Sequence, residues 1–158
     1  MSIFGVAGST PSDEGFELKS ARFNDNGSAY LNRTLNTPTN NKRWTLSTWL
    51  KRGNIAQGQI LSANGNQLYF LGSDYFSYSG STGSDTTVRM KTTQVFRDPG
   101  AWYHVVFSMD TTQSAFANQM KLYINGTQVT SFSTSTAVTQ NIDTAINSAI
   151  AHLSLIHI

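Results

Sequence analysis

The chain has no cysteine, three prolines, two glutamates (Glu14 and Glu17), and charged residues at only 13% of its 158 positions. Each shortage excludes something. Without cysteine there is no disulfide framework, no thiol nucleophile and no Cys-ligated zinc. Charge stands at about half the ~25% usual in soluble domains. A formal charge of +2 is too small to argue for a nucleic-acid partner, despite a pI near 9.0. No apolar run approaches the ~18 residues of a membrane-spanning helix. The stretch Met1 to Gly8 lacks a positive n-region, and its apolar part is too short for a signal peptide. Serine, threonine and asparagine fill the gap and make up about a third of the chain. The length suits one domain with a sizeable core, since a ~150-residue domain buries about 68–70% of its unfolded surface.

Residues 1–15, with Gly5, Gly8, Ser9, Pro11, Ser12 and Gly15, read as a lead-in strap before a domain over 16–152. From Phe16 on, short β-branched and aromatic segments alternate with Gly/Asn/Asp/Ser clusters. In Trp102 to Asp110, Tyr103, Val105, Phe107 and Met109 share one face, and Trp102, His104, Val106, Ser108 and Asp110 share the other. In Trp44 to Lys51, Trp44, Leu46, Thr48 and Leu50 alternate with Thr45, Ser47 and Trp49. Met120, Leu122 and Ile124 alternate within Gln119 to Asn125, and Asn125-Gly126 supplies the positive φ of a type I′ hairpin turn into Thr127 to Phe132. Gln59 to Ala63 and Gln67 to Leu71 join through Asn64-Gly65-Asn66. Tyr75 to Ser79, Thr86 to Met90 and Thr93 to Phe96 are further strands, and the one helical period covers Ile142 to Ala151. Many short strands with frequent turns predict an all-β, antiparallel two-sheet β-sandwich.

The ordered set Trp44-Thr45-Leu46-Ser47-Thr48-Trp49-Leu50-Lys51, Ile60-Leu61-Ser62, Trp102-Tyr103-His104-Val105-Val106, Asp110 and Leu122-Tyr123-Ile124-Asn125-Gly126 resembles the core of laminin-G-like, concanavalin A-like lectin/glucanase domains. The match covers residues 20 to 150 in order. Arg22-Phe23-Asn24, Ser28-Ala29-Tyr30-Leu31-Asn32-Arg33 and Phe96-Arg97-Asp98 are most similar to copies from tail and virion proteins of marine tailed bacteriophages. The resemblance implies a concanavalin A-like jelly roll. It also implies a virion protein made in a host cytoplasm, whose partners are host-surface glycan or other virion and tail subunits. It does not single out a function, because this fold hosts lectins, glycosidases and plain adhesive spacers.

Glycoside hydrolysis needs two carboxyl groups flanking the bond, and the family's glucanase branch carries its acids at alternating positions of one strand. Here the glutamates sit in or beside the strap, and Asp13, Asp25, Asp74, Asp85, Asp98, Asp110 and Asp143 never fall two apart on a strand. The expectation is therefore a non-catalytic interaction module, with a ligand-free structural spacer or a glycoside hydrolase as the alternatives. For ligand binding, residues 72–85 supply an aromatic face with polar partners, namely Asp74, Tyr75, Tyr78 and Asp85. The same segment also reads as a strand with cross-strand aromatics before a Ser/Gly loop. No cofactor is called for, although the resemblance makes a rim calcium site at Asp110 an option. Calcium wants six to eight oxygens, and no dense acidic loop supplies them. His104 reads as a hydrogen-bonded histidine inside the sandwich, and Trp44, Trp49 and Trp102 read as core. Lys42-Arg43 and Lys51-Arg52 read as edge-blunting or solvating charges, and Asp98-Pro99-Gly100 reads as a turn.

The final six residues, Leu153-Ser154-Leu155-Ile156-His157-Ile158, equal one reading frame of the mosaic-end adaptor used in transposase-based sequencing libraries. They read as an assembly scar at 153–158, with a genuine apolar strand as the alternative. Family members continue past Ala151 with a glycine turn and a closing strand, so the sandwich is expected to lack that strand or to hold the hexapeptide in its place.

Overall fold

The computed structural model describes residues 30–80 and 87–155. Among these, eleven strands and one single-turn helix follow in the order β1 (Leu31–Thr34), β2 (Arg43–Lys51), β3 (Gly58–Ala63), β4 (Asn66–Phe70), β5 (Tyr75–Ser79), β6 (Val88–Val95), β7 (Trp102–Asp110), α1 (Phe116–Gln119), β8 (Met120–Ile124), β9 (Thr127–Val129), β10 (Phe132–Ser135) and β11 (Ala151–Leu155). They form a seven-stranded sheet, β1-β11-β3-β4-β5-β6-β10, and a four-stranded sheet, β2-β7-β8-β9. Every pairing between them is antiparallel. The architecture is the expected all-β two-sheet sandwich.

Period-two alternation explains the core. Val105, Phe107 and Met109 of β7, Leu50 of β2 and Met120, Leu122 and Ile124 of β8 all face inward. Leu68, Phe70, Phe76, Tyr78 and Met90 meet them from the other sheet. The Phe107 ring lies 5.3 Å from Tyr78, 5.4 Å from Trp44 and 6.4 Å from Phe76, so one side chain joins the two layers. The hairpin turns form as expected, with positive φ at Asn64 and Gly65 and at Asn125 and Gly126.

The structure departs from the sequence reading at three places. The two segments around Met90 and Thr93 are one strand, β6, whose pairings with β5 and β10 are broken by bulges. The stretch Thr127 to Phe132 splits: β9 pairs with β8, and the chain then crosses to the other sheet, where Thr93 holds Ser131 through backbone and hydroxyl contacts. Ile142 to Ala151 is not a helix. Asn141 and Asn147 take left-handed φ of 64° and 65°, and Thr144 ties the segment to the start of β2 by accepting from Trp44 Nε1 (2.8 Å) and donating to the Asn41 carbonyl (2.8 Å). Its apolar residues are spaced as in a helix because Ala145 and Ile146 are tucked into the core from an irregular loop. At the C-terminal end, Leu153–Leu155 belong to β11 between β1 and β3, with Leu153 opposite Asn32 and Ser62. These residues hold an interior strand's place, which the scar reading and the apolar-strand alternative both allow. Residues 156–158 and the strap lie outside the described residues.

Candidate functional site

The outer face of the four-stranded sheet carries the site. Because Val105, Phe107 and Met109 point inward, Trp102 and His104 must point outward, and the register sets Trp49 opposite His104 and Lys51 opposite Trp102. The sequence reading of Trp49, Trp102 and His104 as interior residues is corrected here. Trp49 is 63% exposed and Trp102 53%, whereas Trp44, on the opposite face of β2, packs against the core as expected. The signal was present in the alternation itself, since Trp49 falls out of phase with Leu46 and Leu50, and Trp102 out of phase with Val105 and Phe107.

His104 organises this surface. Its ring is stacked on Trp49 at 4.8 Å between centroids and 16° between planes, and its Nε2 meets Ser47 Oγ at 3.0 Å. Its backbone N–H donates to Asn125 Oδ1 (2.8 Å), and its carbonyl accepts from the Asn125 N–H (2.9 Å). The Asn125-Gly126 turn is thereby fastened to β7 beside the aromatic rings. Trp49, Trp102, His104, Asn125 and Gly126 line an open surface depression of about 510 Å³.

Of the residues singled out from sequence, Tyr78 and Asp74 have structural roles. Tyr78 is fully buried, its hydroxyl donating to Asn66 Oδ1 at 2.9 Å, so it offers no surface to a ligand. Tyr75 faces the other way, as residues three apart on a strand must, and carries Lys91 Nζ 4.5 Å above its ring. The Asp74 carboxylate is buried between Arg52 Nη1 (3.0 Å) and Arg97 Nε (3.2 Å) and is structural. Arg52, read as a solvating charge, is itself only 3% exposed. Asp85 lies outside the described residues. The Asp98 side chain accepts from the Gly100 N–H (2.8 Å), closing the expected turn.

Asp110, the calcium candidate, lies at the far end of β7. Its Oδ1 accepts from Thr112 Oγ1 (2.6 Å), the Thr112 N–H (3.0 Å) and Arg43 Nε (3.2 Å), and its Oδ2 accepts from Gln113 Nε2 (3.4 Å). A guanidinium already balances this carboxylate, which opposes a second cation beside it. Among the described residues no three His, Cys, Asp or Glu side chains gather into a metal-binding group. The Thr112 hydroxyl, followed by the Thr112 N–H, Arg43 and Gln113, outweighs partial burial and lowers the Asp110 pKa from 3.8 to about 2. A depressed folded value means the group contributes stability above the unfolded pKa of 3.8, and that this contribution fades as pH falls through about 2. Carboxyl NMR titration is expected to place the Asp110 midpoint near 2, and Asp110→Asn is expected to flatten the stability profile over that acid range. A midpoint at the ordinary value would mean the cluster does not persist in solution.

Two antiparallel sheets closed over a shared aromatic core define a β-sandwich. Residues 24–151 match the model of the Concanavalin A-like lectin/glucanases superfamily, and the chain belongs to that family. Among solved structures it is similar to the native heptameric SAP-like pentraxin from Limulus polyphemus, at 14% identity and a TM-score of 0.55. That likeness covers 85% of this chain and 60% of the pentraxin chain, and at such identity it speaks for the fold. No curated protein matches the chain. No helix among the described residues is long and apolar enough to cross a membrane.

Proposed function

We propose that this domain is a non-catalytic interaction module that holds a glycan on the outer face of its four-stranded sheet. One observation carries the reading: Trp49 and Trp102 stand exposed on neighbouring strands of a rigid sheet, beside a fastened amide turn. Indole rings give flat apolar faces for sugar C–H groups, and leaving two of them in water forgoes the burial free energy a core would supply. No carboxylate lines the depression, so the two acids of glycoside hydrolysis are not provided there. Membership of a lectin-containing family supports the same reading. The similarity of Arg22-Phe23-Asn24 and Phe96-Arg97-Asp98 to phage tail and virion proteins supports a setting on a phage particle, where the module adheres to host-surface glycan.

The test is glycan-array binding by the full chain alongside Trp49→Ala and Trp102→Ala, with far-UV circular dichroism to confirm folding. Each substitution is expected to weaken binding about tenfold, the scale of one lost aromatic contact. Absence of binding by the unaltered chain to every glycan would overturn the reading and favour a contact with a neighbouring virion subunit.

A further inference from the structure

Resting on that reading, the geometry points to the ligand class: we propose that the site takes an uncharged saccharide chain, engages at least two of its rings at once, and needs no metal ion.

The two-ring requirement comes from the register. Trp49 is opposite His104, and Trp102 lies two residues from His104 on the same face of β7, so the tryptophans are diagonal neighbours. Diagonal positions on an antiparallel pair are ~7–8 Å apart, wider than one six-membered ring. His104 already covers part of Trp49 at 4.8 Å, so a ligand meets the part of the indole that stays exposed. Consecutive rings of one saccharide chain can therefore stack one on each tryptophan. The depression is open, so both ends of such a chain can leave it.

The absence of charge comes from the lining. None of its five residues is a carboxylate, guanidinium or ammonium group. Lys51 stands opposite Trp102 in the register and is not among the lining residues, so an acidic preference would have to come from it. The polar element that is present is Asn125. The backbone N–H of His104 can only donate, so it fixes Oδ1 as the acceptor and turns Nδ2 outward as the donor for a ligand oxygen. The amide is thus oriented before the ligand arrives.

Independence from metal is argued from where the carboxylates of the described residues lie. Asp110, eight residues from Trp102 along β7, is about 26 Å away at strand rise and is held by Arg43. Asp98, nearer in sequence, is occupied by its own turn.

The experiment uses the full chain on an array of neutral gluco-, manno- and galacto-oligosaccharides of one to six rings, with acidic chains and terminal-sugar epitopes printed beside them. Binding is read with added calcium and again with EDTA. Hits are expected among neutral chains, with affinity rising about tenfold from one ring to three and unchanged by EDTA. Trp49→Ala and Trp102→Ala should each abolish the gain with length. Asn125→Asp, which keeps the turn and the Oδ1 acceptor but removes the Nδ2 donor, should weaken binding about tenfold. Hits confined to acidic chains and lost in Lys51→Gln would overturn the uncharged class. Equal affinity for one ring and three would overturn the two-ring grip, and loss in EDTA would overturn metal independence. In each of those cases the glycan reading itself survives. Binding to nothing printed, in either buffer, would remove both.

Discussion

Phe107→Ala is expected to lower the unfolding free energy by about 3–5 kcal/mol, the range for truncating a fully buried phenylalanine. The reason is its position at the crossing of the two layers. From the middle of β7 it reaches Trp44 on β2 within its own sheet and Tyr78 and Phe76 on β5 of the facing sheet, with ring centroids 5.3–6.4 Å away. Its removal deletes apolar burial and also leaves three rings without a partner atom on one side, so the cavity adds to the transfer cost. For a domain of this length each kcal/mol lowers the melting temperature by roughly 2–4 °C, giving a fall of roughly 6–20 °C. Urea denaturation should show a lower midpoint with an unchanged slope. A loss below 1 kcal/mol would mean that the layers are not joined through this ring.

Asp74→Asn should be similarly costly, at about 3–5 kcal/mol, because it leaves a buried guanidinium without its counter-charge. Arg52 stands one residue past β2, and its Nη1 donates to Asp74 Oδ1 and to the Phe96 carbonyl, while Nη2 donates to the Ala56 carbonyl at 2.7 Å. Its guanidinium carbon lies 4.7 Å from the centre of the Phe70 ring. This one cation therefore binds the loop after β2, the turn before β5 and the end of β6. Asparagine is the informative replacement, since Asp74 has φ of 69° and asparagine tolerates that region while alanine does not. Arg52→Met removes the buried charge and leaves Asp74 with the more exposed Arg97, so it should cost less. The double variant Arg52→Met with Asp74→Asn should cost less than the sum of the two, and a double-mutant cycle reads that coupling. Strict additivity would show that the pair is not formed.

Asp74 also illustrates what the sequence could and could not show. Beside Tyr75 and Tyr78, it looked like a polar group at an aromatic ligand face. Nothing local told that Arg52, 22 residues earlier, and Arg97, 23 residues later, would converge on it. The tyrosines were separable in principle, since positions 75 and 78 of a strand point to opposite sides. In the same way, β7 and β2 display their inward and outward residues plainly, and Trp49 and Trp102 follow that phase outward although their residue type favours a core.

The positions of β2, β3, β4, β5, β7 and β8, their hairpin turns and the two faces of those strands were set by the chain alone, because side-chain alternation and the left-handed preference of Asn-Gly act over a few residues. Tertiary structure alone decided which strands joined which sheet, that β9 and β10 part company, that β11 fills an interior place, and that no sheet among the described residues covers the outer side of β2 and β7. Those outcomes depend on pairings between segments tens of residues apart, whose free energy comes from packing that no local pattern encodes. The charge-poor, cysteine-free composition is compatible with many surfaces. The uncovered face with its two tryptophans makes this one a candidate for binding.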